Sequence, residues 1–280
     1  MRFIKNLPRI ELQPSFLCLC AVIAASGYGP QLVALLICVT FHEAAHIAAG
    51  LFFGLRTERV RFTPVGEAAV IAGVEYLPPM KRAAVLLAGP SANFALAALA
   101  HCLLISDDFA AANVIIGAFN LLPALPLDGG RLLAHALDNA CGMAAGAAAA
   151  RRMTGLLGLA LMAAGLVQTV LFPFNVSLLL AGFYITLYKK RLRNGGENWF
   201  YRAASQKNAR RRLMPVKSVR APRDMGLVDA LRALTWDYYH IFYIEHGDGQ
   251  GLLRAGESAI IAYALENGLN GTLEDAILKA

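Results

Sequence analysis

Long uncharged blocks, separated by short charged punctuation, dominate the first two thirds of the chain. No Asp, Glu, Lys or Arg stands between Leu12 and His42. This stretch predicts a first apolar span over Pro14–Ser26, a turn at Gly27-Tyr28-Gly29-Pro30 and a second span over 31–55, ended by Arg56, Glu58, Arg59 and Arg61. The basic start at Arg2, Lys5 and Arg9 also fits a cleaved signal peptide. The apolar pattern runs straight on past Pro30, however, so an uncleaved span is expected. A third span follows over 83–105, with Gly89-Pro90-Ser91-Ala92-Asn93 reading as an interruption of its helix. A fourth runs over 109–126, and residues 131–146 form an apolar helix too short to cross alone. Residues 153–188 are uncharged, which at about 20 residues per crossing makes two spans, with Phe172-Pro173-Phe174-Asn175 as their turn.

Two segments break this rhythm. In 59–79, Val60, Phe62, Val65, Val70, Ile71 and Val74 alternate among Pro64, Gly66, Gly73 and Pro78, the pattern of a β-hairpin. Residues 215–280 read as a small β-α-β-β-α module. Its strands are Val216–Val219, Ile241–Ile244 and a third from Leu252, with a turn at Gly247-Asp248-Gly249. Its helices are Gly226–Leu234, apolar on the face of Leu227, Ala230, Leu231 and Leu234, and Glu257–Asn267, ended by Gly268. Between the apolar block and the module lies a basic linker, 191–214, with Arg202, Lys207, Arg210-Arg211-Arg212 and the aromatics Trp199, Phe200 and Tyr201. Directly after a span, such a segment suits an anionic lipid surface better than nucleic acid.

Composition agrees with the pattern. The chain is 57% hydrophobic and 16% charged, against about 45–50% and about 25% in soluble domains. The expected fold is a polytopic α-helical membrane protein of about six transmembrane helices, residues 1–190, with a small α/β module behind it. The five cysteines show no Cys-x-x-Cys spacing and read as small apolar residues. The net charge of +7 is unevenly placed: the segments 27–30, 106–108 and 172–175 contain no Lys or Arg. The positive-inside rule then puts both termini, the hairpin and the module in the cytoplasm.

The candidate chemistry sits inside the second span, at His42-Glu43-Ala44-Ala45-His46. On a helix, His at i and i+4 share one face and can share a metal ion; Glu43 lies beside that face, where a metalloprotease needs its general base. Ionisable groups at membrane depth are costly and are functional candidates by default. A catalytic zinc takes three protein ligands, and Asp128 is the third candidate. By topology it lies at the cytoplasmic end of span four, the depth of the His pair. Asp138, His101 and His135 compete with it. Peptide hydrolysis is the reaction that suits this set, and the hairpin offers an edge for an extended substrate. A non-proteolytic membrane protein with a structural or transport metal site is the alternative. A di-iron hydroxylase needs more His than this chain has.

At these residues the chain resembles the site-2 protease family of intramembrane zinc metalloproteases. That family pairs His-Glu-x-x-His with a later Asn-x-x-Pro-x-x-x-x-Asp-Gly, present here as Asn120-Leu121-Leu122-Pro123-Ala124-Leu125-Pro126-Leu127-Asp128-Gly129. The resemblance implies one zinc held by His42, His46 and Asp128, Glu43 as acid/base, and Asn120 and Pro123 in substrate positioning. The layout, with no PDZ insertion and one C-terminal module resembling a CBS domain, is similar to the family's sporulation branch. That implies a membrane-associated sigma-factor precursor as substrate, inhibitory membrane proteins as partners, and ATP sensing by the module. Against ATP stand Arg254, where Thr or Ser is usual, and Glu257, where Asp is common. The module otherwise serves dimerisation or substrate docking.

Overall fold

The computed structural model describes residues 9–63, 66–172, 175–194, 214–235, 237–245 and 252–279. Most of the basic linker (195–213), the turn at 247–249 and the hairpin tip at 64–65 lie outside them. The chain divides into two compact units, Met1–Leu122 with Leu127–Gly129, and Pro123–Pro126 with Gly130–Ala280.

The first unit opens with a short strand, β1 (Arg9–Leu12), then α1 (Pro14–Ile23), a π-helical turn (Ala24–Tyr28) and α2 (Gly29–Phe52). The turn expected at 27–30 is a kink: Gly27 takes φ 86° inside one 39-residue helical stretch, Pro14–Phe52. Only glycine adopts that backbone without strain. Pro30 stands in the first turn of α2, where its missing N–H has no intrahelical partner to lose. The buried residues of α2 are Cys38, His42, His46 and Gly50, spaced four apart, so they form one stripe. Its other faces expose Val33, Leu35, Phe41 and Leu51. Polar side chains face inward and apolar ones outward, which is the reverse of a helix in water and suits a lipid surround.

After α2 the chain forms β2 (Arg56–Thr63) and β3 (Gly66–Ala72), antiparallel to each other, with β1 added parallel to β2. A hairpin forms as expected, but over 56–72 rather than the expected 59–79; β1 is not expected from the sequence, because four residues carry too little alternation to stand out. Val74, Leu77 and Val85 form a small core here, with Ala49, Phe53, Leu55 and Ile71 packed on it. α3 (Pro79–Cys102) buries Val85, Leu86, Gly89, Pro90, Asn93, Ala97 and Ala100 along one side. Its helix is continuous through Gly89 and Pro90, which corrects the interruption expected there. The small residues serve packing: a side chain on Gly117 of α4 (Asp107–Asn120) would press on Phe94 and the Pro90 carbonyl at 3.2 Å. Ser106 caps α4 by accepting from the Phe109 N–H at 3.3 Å.

The second unit holds most of α5 (Asp128–Cys141), α6 (Met143–Leu171) and α7 (Ser177–Asn194). α6 and α7 run antiparallel. Gly158 meets Thr186, and Gly165 meets the backbone of Leu179, closer than any side chain would permit. Among the described residues three helical stretches are long and apolar enough to cross a membrane: Pro14–Phe52, Pro79–Cys102 and Met143–Leu171. α4, at 14 residues, is roughly 21 Å long, short of a bilayer core.

The C-terminal part follows the expected order with one addition. β4 (Val216–Arg220), α8 (Leu227–Arg232), β5 (Tyr239–Glu245), β6 (Leu252–Gly256) and α9 (Glu257–Asn267) are followed by α10 (Leu273–Leu278). Thr272 and Asp275 cap α10 reciprocally. β5 is central, parallel to β4 and antiparallel to β6. Phe242, Ile244, Leu227, Ile260, Ile261 and Leu273 fill its core, together with Met143 from the start of α6. The Met143 N–H donates to the Leu234 carbonyl at 2.9 Å, and the Asn139 amide donates to the Asp237 carboxylate. The module is thus fastened to the α5–α6 corner of its own unit.

Candidate metal centre

Three donor atoms converge in the first unit. The Nε2 atoms of His42 and His46 lie 3.1 Å apart, and Asp128 Oδ2 lies 3.1 Å from each. Helix period alone puts the two imidazoles on one face of α2, and Asp128 is brought in at the first residue of α5. All three residues are buried.

The outer atoms of the rings decide what the inner atoms can do. His46 Nδ1 lies 2.7 Å from the Val85 carbonyl of α3. A carbonyl only accepts, so Nδ1 carries the proton and Nε2 presents a lone pair. His42 Nδ1 lies 2.5 Å from Asn93 Oδ1; with the Asn93 amide nitrogen donating to the Cys38 carbonyl at 3.2 Å, that oxygen accepts and the same tautomer follows. Two bare ring nitrogens and a carboxylate oxygen then face one another at 3.1 Å. Three acceptors so close suit a cation among them. A tetrahedral zinc with ligands about 2.0–2.2 Å away sets its donors roughly 3.3–3.6 Å apart. The observed triangle fits to within a few tenths of an ångström, and nitrogen with carboxylate is a donor set zinc accepts. Among the described residues this is the group able to hold a metal ion; His101, His135 and Asp138 are not part of it. His101 is exposed in the last turn of α3, and His135 and Asp138 belong to the second unit.

Glu43, half-buried on the adjoining face, accepts from the Ala69 N–H of β3 at 2.8 Å. Ala69 pairs with Val60 of β2, and β3 is the edge of its sheet. That N–H therefore points off the free edge. The hairpin fixes the carboxylate through backbone, a link that one-dimensional spacing does not reveal.

Asn120 turns inward on its own helix: its amide donates to the Ile116 carbonyl at 3.0 Å. Pro123 is exposed in the turn between α4 and α5 and falls in the second unit. Two residues that carry the site were missed in the sequence. A Cβ on Gly89 would sit 2.3 Å from His46 Nε2 and 2.6 Å from His42 Nε2, so α3 leaves room for the donor triangle only as glycine. Asn93, one turn on, holds the His42 ring. The signal was present: a buried-looking Asn four residues after a glycine in an apolar span needs a polar partner.

The peptidase family M50 model matches residues 30–109, which include the His pair, the hairpin and α3. Stage IV sporulation protein FB of Bacillus subtilis (strain 168) is 33% identical over 133 residues, 45% of this chain and 46% of that protein. Zinc metalloprotease MJ0392 of Methanocaldococcus jannaschii is 25% identical over 166 residues, 55% of this chain and 46% of that one. The chain thus spans less than half the length of these curated relatives. The solved structure of a site-2 protease from Methanocaldococcus jannaschii superposes with a TM-score of 0.53 at 22% identity, over 65% of this chain and 89% of that chain, a likeness of fold. Residues 30–109 thus match peptidase family M50, and the chain is similar in sequence to the Bacillus and Methanocaldococcus proteins.

Proposed function

We propose that the protein is an intramembrane zinc endopeptidase that cleaves a membrane-associated regulatory protein. The observation that carries this reading is the donor triangle of His42, His46 and Asp128 beside a carboxylate, Glu43, pinned by Ala69. Three converging protein donors are the count of a catalytic zinc site; a structural site is usually closed by four. When bound, a zinc ion supplies Lewis acidity, polarising the scissile carbonyl and acidifying water. Glu43 takes the proton of the attacking water and delivers it to the leaving amine. The Ala69 N–H keeps the Glu43 carboxylate aimed while the proton is in transit. The substrate lies extended along the free edge of β3, and Asn120 and Pro123 position it. Proline substitutions along 68–74 that leave cleavage intact contradict that placement.

Around this core the reading extends to the whole protein. It is a multi-pass protein of the cell membrane with about six spans and both termini cytoplasmic. Residues 215–280 form a CBS-like module, and 191–214 a linker lying on anionic lipid. Its substrate is a sigma-factor precursor in sporulation, and membrane partner proteins hold it inactive. The module joins two copies or docks the substrate. Glu257 supports that reading over ATP sensing: it is 2% exposed and accepts from the His240 backbone N–H at 2.9 Å and ring Nδ1 at 2.8 Å. Its carboxylate is spent inside the module.

The test is co-expression with membrane-associated sigma-factor precursors, comparing wild type with Glu43→Gln on a blot. A shortened substrate band with wild type alone is expected. Cleavage by both removes Glu43 as the base.

A further inference from the structure

We infer that Asn93 is a positioning residue that sets the metal-binding tautomer of His42, and that Asn113 and two backbone carbonyls fix the direction in which it does so. The inference rests on His42 being a metal ligand, as proposed above, and extends it to groups that no motif names.

The argument is one of hydrogen-bond direction. An asparagine amide can be turned either way, so the contact between Asn93 and His42 leaves open which group donates. The surroundings decide it. Asn93 Nδ2 lies 3.2 Å from the Cys38 carbonyl and 2.8 Å from Asn113 Oδ1. The Cys38 carbonyl can only accept, so the nitrogen of Asn93 must be on that side and its oxygen must face His42. Asn113 is anchored in the same way. Its Nδ2 donates to the Phe109 carbonyl at 3.0 Å and to Cys38 Sγ at 3.1 Å, which leaves Oδ1 to accept from Asn93. Both protons of each amide are used. Donation runs one way, from His42 Nδ1 to Asn93, from Asn93 to Asn113 and from Asn113 to the Phe109 carbonyl, so His42 Nδ1 meets an acceptor.

His42 therefore carries its proton on Nδ1 and presents Nε2 bare to the donor triangle. In water the neutral ring prefers the opposite tautomer, with the proton on Nε2, where it blocks a metal. Asn93, Asn113 and Cys38 are each 0% exposed, so no water competes for these bonds. The elements involved are α2, α3 and α4, which is why no single segment of sequence displays the relay. Cys38 acquires a role as well: its carbonyl and its sulfur each hold one amide.

The experiment is ¹⁵N-histidine NMR of the metal-free full-length protein, with zinc affinity measured by chelator competition on the same samples. Neither readout depends on proteolysis, so the protease reading can fail without affecting the result. Wild type should show His42 with a protonated Nδ1 and a bare Nε2. Asn93→Leu should release the ring toward the Nε2–H form and lower zinc affinity roughly 10–100-fold, the usual cost of losing a ligand's hydrogen-bond partner. Asn93→Asp keeps an acceptor at Nδ1 and should hold the tautomer and most of the affinity. If Asn93→Leu does not fold, Asn113→Ala tests the same relay more gently. Asn93 then keeps only the Cys38 carbonyl as anchor, and affinity should fall several-fold. An unchanged His42 tautomer and affinity in Asn93→Leu, or in Asn113→Ala where Asn93→Leu does not fold, overturns the inference. So does an equal loss of affinity in Asn93→Leu and Asn93→Asp.

Discussion

A methyl group on residue 89 should cost the protein its metal while leaving its helices folded. In Gly89→Ala the new Cβ would lie 2.3 Å from His46 Nε2, 2.6 Å from His42 Nε2 and 2.8 Å from His42 Cδ2. Comfortable contact for such atoms is about 3.5 Å or more, so something must move by roughly 1 Å. Neither ring is free to swing, because Val85 holds His46 and Asn93 holds His42. Either a ring leaves its anchor or α3 draws back from α2. Overpacking of this kind costs about 1–3 kcal/mol in stability, too little to unfold the unit. A metal site tolerates errors of only about 0.2 Å in ligand distance, so a shift of roughly 1 Å should lower zinc affinity more than about 100-fold. The assay is chelator competition on purified protein, with circular dichroism and thermal unfolding to show that the fold persists. Stoichiometric zinc at wild-type affinity in Gly89→Ala would refute the geometry.

Other perturbations test separate parts. Glu257→Ala leaves the two buried His240 donors without their acceptor, at about 1–3 kcal/mol each. Hydrogen exchange across β5 should accelerate in the full-length protein, with α2 and α3 unaffected. At β1, the hydrogen bond from Arg61, aided by Arg59, holds the Glu11 carboxyl below its ordinary value against the opposing effect of burial. A lowered folded value means that the contribution is present above the ordinary carboxylate range and is lost as pH falls through the lowered value. Exchange protection at Ile10, corrected for intrinsic rate, should therefore hold at pH 5 and fall below about pH 4. Arg61→Gln should flatten that dependence.

What the sequence revealed and what it hid divide along a physical line. Features set by local period were legible: the His42–His46 face of α2, the 56–72 hairpin, and the strand–helix order of the module follow from spacings of four, two and 3.6 residues. Features set by contacts between distant elements were not. Pro90 suggested a broken helix, since proline removes a backbone donor. Yet α3 runs through, and its Gly89 and Asn93 are explained only by rings arriving from α2. The Ala69 N–H on Glu43 depends on a hairpin folding back over the helix before it. Glu257, read against a nucleotide-binding pattern, turned out to face a histidine in its own core.

The most direct test of the whole account is the metal content of purified full-length protein, wild type beside His42→Ala and Asp128→Ala, by mass spectrometry of the bound metal. One zinc per chain in wild type and none in either variant is the expected result. Zinc retained at full stoichiometry after both substitutions would contradict the site, and with it the proposed chemistry.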